Sequence, residues 1–151
     1  MKDICYFALQ VQFQARTFAY NESMFVHLRL HTEFSVVDST NRIETLVNIA
    51  KKDGQPALAI TDLNNLFGAI KFYKEARANG LKPILGSEVM LEAPGVDQGS
   101  ISRIILLVQN HKGYLNLCEL ITRSWTQNVQ RESALVKWSW LEELNEGLIL
   151  L

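Results

Sequence analysis

Hydrophobic residues recur along the chain with two different spacings. A continuous apolar run at residues 57–60 predicts a strand buried on both faces. Apolar residues spaced three or four apart predict amphipathic helices on either side of it. In chain order, the pattern predicts a strand at 25–31, a helix at 43–50, a strand at 57–60, a helix at 68–79, strands at 83–91 and 103–110, helices at 114–121 and 138–144, and a strand opening at 147–151. This alternation of strands and helices predicts an α/β domain with a parallel sheet or barrel.

The two ends of the chain differ from its patterned middle. Residues 1–23 have no helical periodicity, and Gln10, Gln12 and Gln14 interrupt their apolar residues. They make a poor signal peptide, although their alternation also allows an extra strand. We expect a poorly ordered extension at 1–23 and a domain at 24–151. The last predicted strand reaches the final residue without a following neighbour, so we expect the domain to be truncated at its C-terminal end.

Composition sets limits on the class of protein. The chain has 151 residues, of which 48% are hydrophobic, enough to bury the core of one domain. Its 15 basic and 16 acidic residues give no overall electrostatic footprint for nucleic acid, but a basic surface can lie elsewhere in a nucleic-acid enzyme. Cys5 and Cys118 form neither a CxxC motif nor a disulfide framework. The chain has no run of 18 apolar residues, so we expect no membrane span and a cytoplasmic protein.

The stretch FVHLRLHTEFS, residues 25–35, carries the most suggestive polar groups. His27, Arg29 and His31 share one face of the predicted strand. Side chains at the C-terminal ends of consecutive parallel strands gather at one mouth, so acidic residues from later segments can join them. Those acidic residues are Glu33, Asp38, Asp62 and Glu88. Clusters of His, Asp and Glu are the ligands of hydrolytic zinc or manganese sites.

A structural interpretation of the same residues is favoured by spacing alone. Histidines on a strand are commonly buried and hydrogen-bonded, and Asp62 precedes an asparagine-rich loop where an aspartate caps a turn. Arg29 also opposes a metal, because a guanidinium has no lone pair to donate. Beside Asp62 or Glu88, Arg29 would instead neutralise a buried carboxylate through bidentate hydrogen bonds.

Three longer segments resemble a known family. FVHLRLHTEFSVVDS, PALAITDLNNLFGAIKFYKEARANGLKPILGSEV and GYLNLCELITRSW are similar to the polymerase and histidinol phosphatase (PHP) domain at the amino terminus of bacterial DNA polymerase III alpha subunits. The resemblance runs from Met24 to Leu151. It implies a distorted, TIM-like (βα)7 barrel, of which this chain holds roughly the first half.

The resemblance also assigns a site. Active PHP domains hold a trinuclear metal centre, with ligands that fall here at Arg29, His31, Asp38, Asp62, Leu63, Glu88 and Arg103. His31, Asp38 and Glu88 match the family's ligand types. Arg29, Leu63 and Arg103 stand where active members have histidines. Metal affinity falls steeply as ligands are lost, so we expect a vestigial site with no metal or other cofactor and no phosphatase or exonuclease activity.

The function implied for the whole protein is DNA-templated DNA synthesis in chromosome replication. Its Mg²⁺ ions are held by palm-domain aspartates that would lie beyond residue 151. The implied partners are a proofreading exonuclease subunit, other replicase subunits, primer-template DNA and deoxynucleoside triphosphates. This segment itself would be a scaffold and docking module for the exonuclease. The alternative is a standalone PHP-type metal-dependent phosphoesterase.

Overall fold

A computed structural model describes residues 25–92 and 101–151, which form a mixed sheet with helices packed on it. The predicted extension at 1–23 lies outside the described residues. The elements, in chain order, are α1 (Ile43–Lys52), β1 (Ala57–Leu63), α2 (Ala69–Ala78), β2 (Lys82–Glu92), β3 (Ile101–Val108), α3 (His111–Gln127), β4 (Val129–Gln130), β5 (Ser133–Lys137), α4 (Trp138–Glu143) and β6 (Leu148–Leu150). The α/β class is confirmed, as are the helices and strands predicted from residue 43 onward.

Strand β2 organises the sheet. It pairs in parallel with β1 from Lys82 to Glu88 and with β5 from Met90 to Glu92. It pairs antiparallel with β3, which in turn pairs antiparallel with β6. The predicted parallel arrangement therefore holds for β1, β2 and β5 and is wrong for β3, which runs antiparallel to both of its neighbours. Eight residues separate β2 from β3, and a parallel return needs a crossover of a dozen residues or more.

The predicted strand at 25–31 is also wrong. The segment runs along β1, where the amide of Ala59 donates to the carbonyl of His27 (3.0 Å) and the amide of Thr61 to that of Leu30 (2.8 Å). From the first of these hydrogen bonds to the second, β1 advances by two residues and the segment advances by three. The Thr61 hydroxyl accepts from the amide of Leu30 at 2.9 Å, in place of a backbone carbonyl. This slip in register interrupts the ladder of hydrogen bonds with β1. The segment is therefore extended but does not form a regular strand.

A hairpin of β4 and β5 was not predicted. Gln130 pairs with Ser133, so Arg131 and Glu132 alone form the loop. Both have positive φ, 48° and 67°, as a type I′ turn requires. Such turns are signalled in sequences by Asn-Gly or Gly-Gly, and this loop has neither. The local sequence therefore gives no warning of the hairpin.

Two apolar clusters hold the elements together. The first joins α1 and α2 to β1 through buried side chains that include Ile43, Val47, Ile60 and Phe72. The second joins β2 and β3 to α3, β5 and α4 through Val89, Leu106, Leu117, Leu120, Val136 and Leu141. In both, the helix residues recur at the spacing that predicted them. No helix within the described ranges has both the length and the apolar character to cross a bilayer.

Candidate functional site

Glu88, in the second half of β2, is the centre of a charged cluster. Its side chain is 1% exposed, and its neighbours on β2, Ser87 and Val89, are buried too. Arg29 Nε donates to Glu88 Oε2 at 2.7 Å, and Arg29 Nη2 donates to Glu88 Oε1 at 3.2 Å. The guanidinium therefore meets the carboxylate through two parallel hydrogen bonds. The hypothesis that Arg29 neutralises a carboxylate is confirmed, with Glu88 as its partner.

Three further side chains complete the cluster. His31 Nε2 lies 3.1 Å from Glu88 Oε2, and His31 Nδ1 lies 3.7 Å from Asp38 Oδ2. Arg103 Nη1 lies 3.4 Å from both Asp38 Oδ2 and Glu88 Oε1. Arg103 reaches the site from β3, where its residue pairs with Met90. Two carboxylates are thus surrounded by two guanidinium groups and an imidazole.

The electrostatics of the cluster favour the ionised form of Glu88. Burial alone raises the pKa of Glu88, but the hydrogen bonds from Arg29 and His31 outweigh it, and the pKa is lowered overall. The pKa of Arg29 is raised in turn, chiefly by its hydrogen bond to Glu88. At neutral pH the pair is a carboxylate and a guanidinium, which is the arrangement that keeps a buried acid charged.

Asp62, which was also predicted among the metal-site positions, makes its hydrogen bonds to residues outside this cluster. It is buried, and it accepts from the Thr32 amide (2.6 Å), the Thr32 hydroxyl (2.7 Å) and the Ser35 hydroxyl (2.8 Å). The carboxylate thus fixes the turn that follows His31. This is the turn-capping role that spacing alone favours. Of the two carboxylates predicted as partners of Arg29, Glu88 is the one that it binds.

The remaining predicted positions lie beside the cluster or outside it. Leu63 ends β1 and lines a cavity of about 400 Å³ with Asp38 and Arg103. Glu33 binds Lys71 at 3.1 Å, on the other side of the turn. His27 is exposed, and its ring meets the ring of Phe25 edge to face at a centroid distance of 4.6 Å. Neither Glu33 nor His27 contributes to the site.

The donor set does not fit a trinuclear metal centre. His31, Asp38 and Glu88 keep lone pairs of the right type, but both oxygens of Glu88 face guanidinium groups. A divalent ion beside Arg29 and Arg103 would be repelled, and Leu63 offers no donor. Across residues 25–92 and 101–151, no group of three or more His, Cys, Asp or Glu side chains converges in a way that could hold a metal ion.

Asn64, which was not predicted as a site residue, ties four elements together beside the cavity. It is buried with φ of 52°, a conformation that asparagine tolerates. Its amide donates to the Glu88 carbonyl (2.8 Å), its Nδ2 donates to the Ala134 carbonyl (3.0 Å), and its Oδ1 accepts from the Met90 amide (3.2 Å). Its carbonyl accepts from Trp125 Nε1 at 2.8 Å. An Asn-Asn pair directly after a buried strand was the signal for such a residue.

Comparison with known proteins identifies the class of domain. The profile of the PHP domain family matches residues 27–151. The DNA polymerase III subunit alpha of Pseudomonas fluorescens is 47% identical over 127 residues, which cover 84% of this chain and 11% of that protein. The Escherichia coli K12 subunit is 38% identical over 131 residues, which cover 87% of this chain and 11% of that protein. The chain therefore spans about a tenth of the length of these relatives.

A solved structure supports the fold. An amidohydrolase from Chromobacterium violaceum, determined with bound sulfate and no metal, superposes with a TM-score of 0.53 at 18% identity. The match covers 66% of this chain and 32% of that one. At this level of identity the likeness concerns the path of the backbone. The mixed sheet with its outer helices is consequently a part of a larger known α/β architecture.

Proposed function

The chain belongs to the PHP domain family, and from this membership we propose that it is the amino-terminal portion of a bacterial DNA polymerase III alpha subunit. The support is the identity of 38–47% to proteins of that name over about 85% of the chain. The whole protein would extend a DNA primer from deoxynucleoside triphosphates in chromosome replication, in the cytoplasm, using Mg²⁺ held outside this segment. Reading the coding sequence past Leu151 tests this, since a stop codon there would contradict it.

The role proposed for the segment itself is that of a metal-free scaffold. The observation that carries this proposal is the bidentate contact of Arg29 with Glu88. The guanidinium of Arg29 carries its positive charge at a position where active family members have a metal-binding histidine. Such a site keeps its buried carboxylate neutralised and loses the open coordination that metal-assisted hydrolysis needs.

Metal analysis of the purified protein tests the scaffold role. We expect wild-type protein dialysed against Mn²⁺ or Zn²⁺ to retain much less than one ion per chain. The matched variant R29H/L63H/R103H, which restores three donors, should retain more. Tight binding to the wild type that His31→Ala abolishes would overturn the proposal.

We also propose that the segment docks the proofreading exonuclease subunit. A PHP domain without hydrolytic activity leaves proofreading to a separate protein, and the exposed side chains of Val36 and Val37 on the turn beside the cavity offer a contact surface. Full-length polymerase should co-purify with the exonuclease, and a V36D/V37D variant should lose it while still extending a primed template. Retained co-purification would contradict this docking role.

A standalone PHP-type phosphoesterase is the competing function. The three matching residues His31, Asp38 and Glu88 are its support, because their chemistry suits Mn²⁺ or Zn²⁺. The chain supplied with Mn²⁺ should then hydrolyse p-nitrophenyl phosphate, and Glu88→Gln should abolish the reaction. The scaffold proposal expects no hydrolysis above the rate of the Glu88→Gln variant.

A further inference from the structure

Five exposed cations gather at the end of the fold where β1 and β2 begin. They come from the ends of α1 and α2, the start of β2 and the start of α3. We call this set the basic end, and its members are Lys51, Lys52, Arg77, Lys82 and Lys112. The charged cluster around Glu88 belongs to the opposite half of β2, so the basic end is a separate surface.

Contacts between elements show that α1, α2 and β2 meet at this end. Lys51 Nζ donates to Asn79 Oδ1 at 3.3 Å, which joins the last turn of α1 to the end of α2. The amide of Lys82 donates to the carbonyl of Pro56 at 3.1 Å, and Lys82 pairs with Ala57. The cations of α1, α2 and β2 therefore lie at the same end of the fold.

The register of β3 brings α3 to the same end. Gly86 of β2 pairs with Leu107 of β3 in the antiparallel direction. Lys82 lies four residues before Gly86, and His111 lies four residues after Leu107. The first turn of α3, which carries Lys112, consequently lies level with the start of β2.

Helix electrostatics alone do not account for these positions. Cations in the last turns of α1 and α2 suit the negative ends of those helix dipoles. Helix α3 runs in the opposite direction, and Lys112 lies in its first turn, where a cation is unfavourable and where α3 has no acidic residue. The last turn of α3 has no basic residue. The cations therefore lie at the same end of the fold, which is the C-terminal end of α1 and α2 but the N-terminal end of α3.

Acidic residues neutralise this end only in part, because three of them lie here against five cations. Asp53 accepts from Gln55 Nε2 at 3.0 Å and Glu75 accepts from Asn79 Nδ2 at 3.0 Å, so neither is drawn to one of the five cations by these bonds. Glu146 also lies here, since its carbonyl accepts from Asn116 of α3. Within the described ranges, no carboxylate lies within 4.0 Å of the charged groups of the five cations. The even charge balance of the whole chain thus conceals a local positive surface.

We propose that the basic end binds the phosphate backbone of double-stranded DNA. The choice of DNA as the polyanion rests on the proposed function, and the surface itself rests on the charge placement. Unpaired lysines and arginines on a rigid fold release counterions when they meet phosphates, which drives binding without reading sequence. The surface would hold the duplex that the polymerase acts on, at a place away from the vestigial metal site.

Fluorescence anisotropy with a labelled duplex of arbitrary sequence tests the proposal on the 151-residue chain. The variant K51Q/K52Q/K82Q removes three charges from the basic end. The control R42Q/R131Q/K137Q removes three exposed charges, from the start of α1, the β4–β5 loop and the end of β5. Binding should weaken with salt, and the slope of log K against log[salt] should become shallower by about 0.9 for each lysine removed from the basic end. The control should keep most of the wild-type slope, and melting curves should match for all three proteins.

The other outcomes overturn the proposal. Equal slopes for the wild type and K51Q/K52Q/K82Q would show that these lysines do not meet phosphates. Equal losses in the two variants would show that net charge alone attracts the duplex. In a competition experiment, polyglutamate and unlabelled duplex are compared at equal concentrations of negative charge. If polyglutamate displaces the labelled duplex equally well, the surface belongs to an acidic protein partner. These results do not depend on the coding sequence past Leu151, so failure of the proposed function is distinguishable from failure of this one.

Discussion

Arg29 and Glu88, 59 residues apart in the chain, form a two-bond contact in which the acid is almost wholly buried and the base is largely exposed. The guanidinium caps the carboxylate from the solvent side. Because the acid is the desolvated partner, removal of the two partners has unequal consequences. Loss of the base leaves a buried charge, whereas loss of the acid leaves an arginine that water can solvate.

Replacing Arg29 by methionine should lower the free energy of unfolding. Glu88 would keep only His31 and the longer contact to Arg103, so we expect a loss of about 1–3 kcal/mol at pH 7. Urea titration measures it. In a Glu88→Gln background the same replacement should cost clearly less, because no buried charge is left behind. Equal costs in the two backgrounds would contradict a direct interaction.

The pH dependence of stability should report the lowered pKa of Glu88. A carboxyl whose pKa falls on folding adds stability above its unfolded pKa of about 4.3, and this stability is lost as pH falls through the folded pKa. Wild-type protein should therefore exceed Glu88→Gln in thermal stability at pH 7, with a gap that narrows below about pH 4.3. A gap that stays constant down to pH 3 would show that folding does not lower the pKa of Glu88.

Asp62→Ala should loosen the turn after His31 without removing any member of the charged cluster. The amide of Thr32 and the hydroxyls of Thr32 and Ser35 would lose their acceptor, at a cost of about 2–4 kcal/mol. Hydrogen exchange at the Thr32 amide should accelerate. Asp53→Ala, which removes an acid bonded to one glutamine amide, is the control and should leave that exchange rate unchanged.

Asn64 should be sensitive to both its side chain and its backbone conformation. Asn64→Ala removes the hydrogen bonds to Met90 and Ala134 and places a residue with a Cβ at φ of 52°. Asn64→Gly removes the same bonds but adopts that φ freely, so it should be the more stable variant by about 1 kcal/mol. Chemical unfolding compares them. If the alanine variant is as stable as the glycine variant, the backbone is not held in this conformation.

Local patterns predicted most of the elements because each depends on a short stretch of chain. The apolar run at 57–60 and the spacing of Ile43, Val47 and Ala50 needed no distant information. The segment at 25–31 failed because its alternation described an extended chain, whereas a strand also needs a regular register with β1. That register depends on Thr61, whose hydroxyl competes for the Leu30 amide.

The site was predictable by residue type but not by partner. Charge chemistry showed that Arg29 opposes a metal and favours a carboxylate, and it left Asp62 and Glu88 equal as candidates. In the structure, the hydroxyls of Thr32 and Ser35 donate to Asp62, and Arg29 binds Glu88. The turn that carries these hydroxyls cannot be predicted from a short sequence pattern. Arg103 joins the cluster because β3 returns antiparallel. The antiparallel direction of β3 could have been predicted from the connection of eight residues between β2 and β3, because a parallel strand needs a longer crossover connection.

The ion pair at Arg29 also changes what this region needs from its surroundings. In a metal site, the charge that neutralises the acids comes from solution and depends on its supply. Here the neutralising charge of Glu88 is encoded five codons after Met24 and arrives with the polypeptide as it is synthesised. As the metal-free scaffold proposed above, the region should complete its fold in a cell starved of transition metals, and a chelator should extract nothing from this pair.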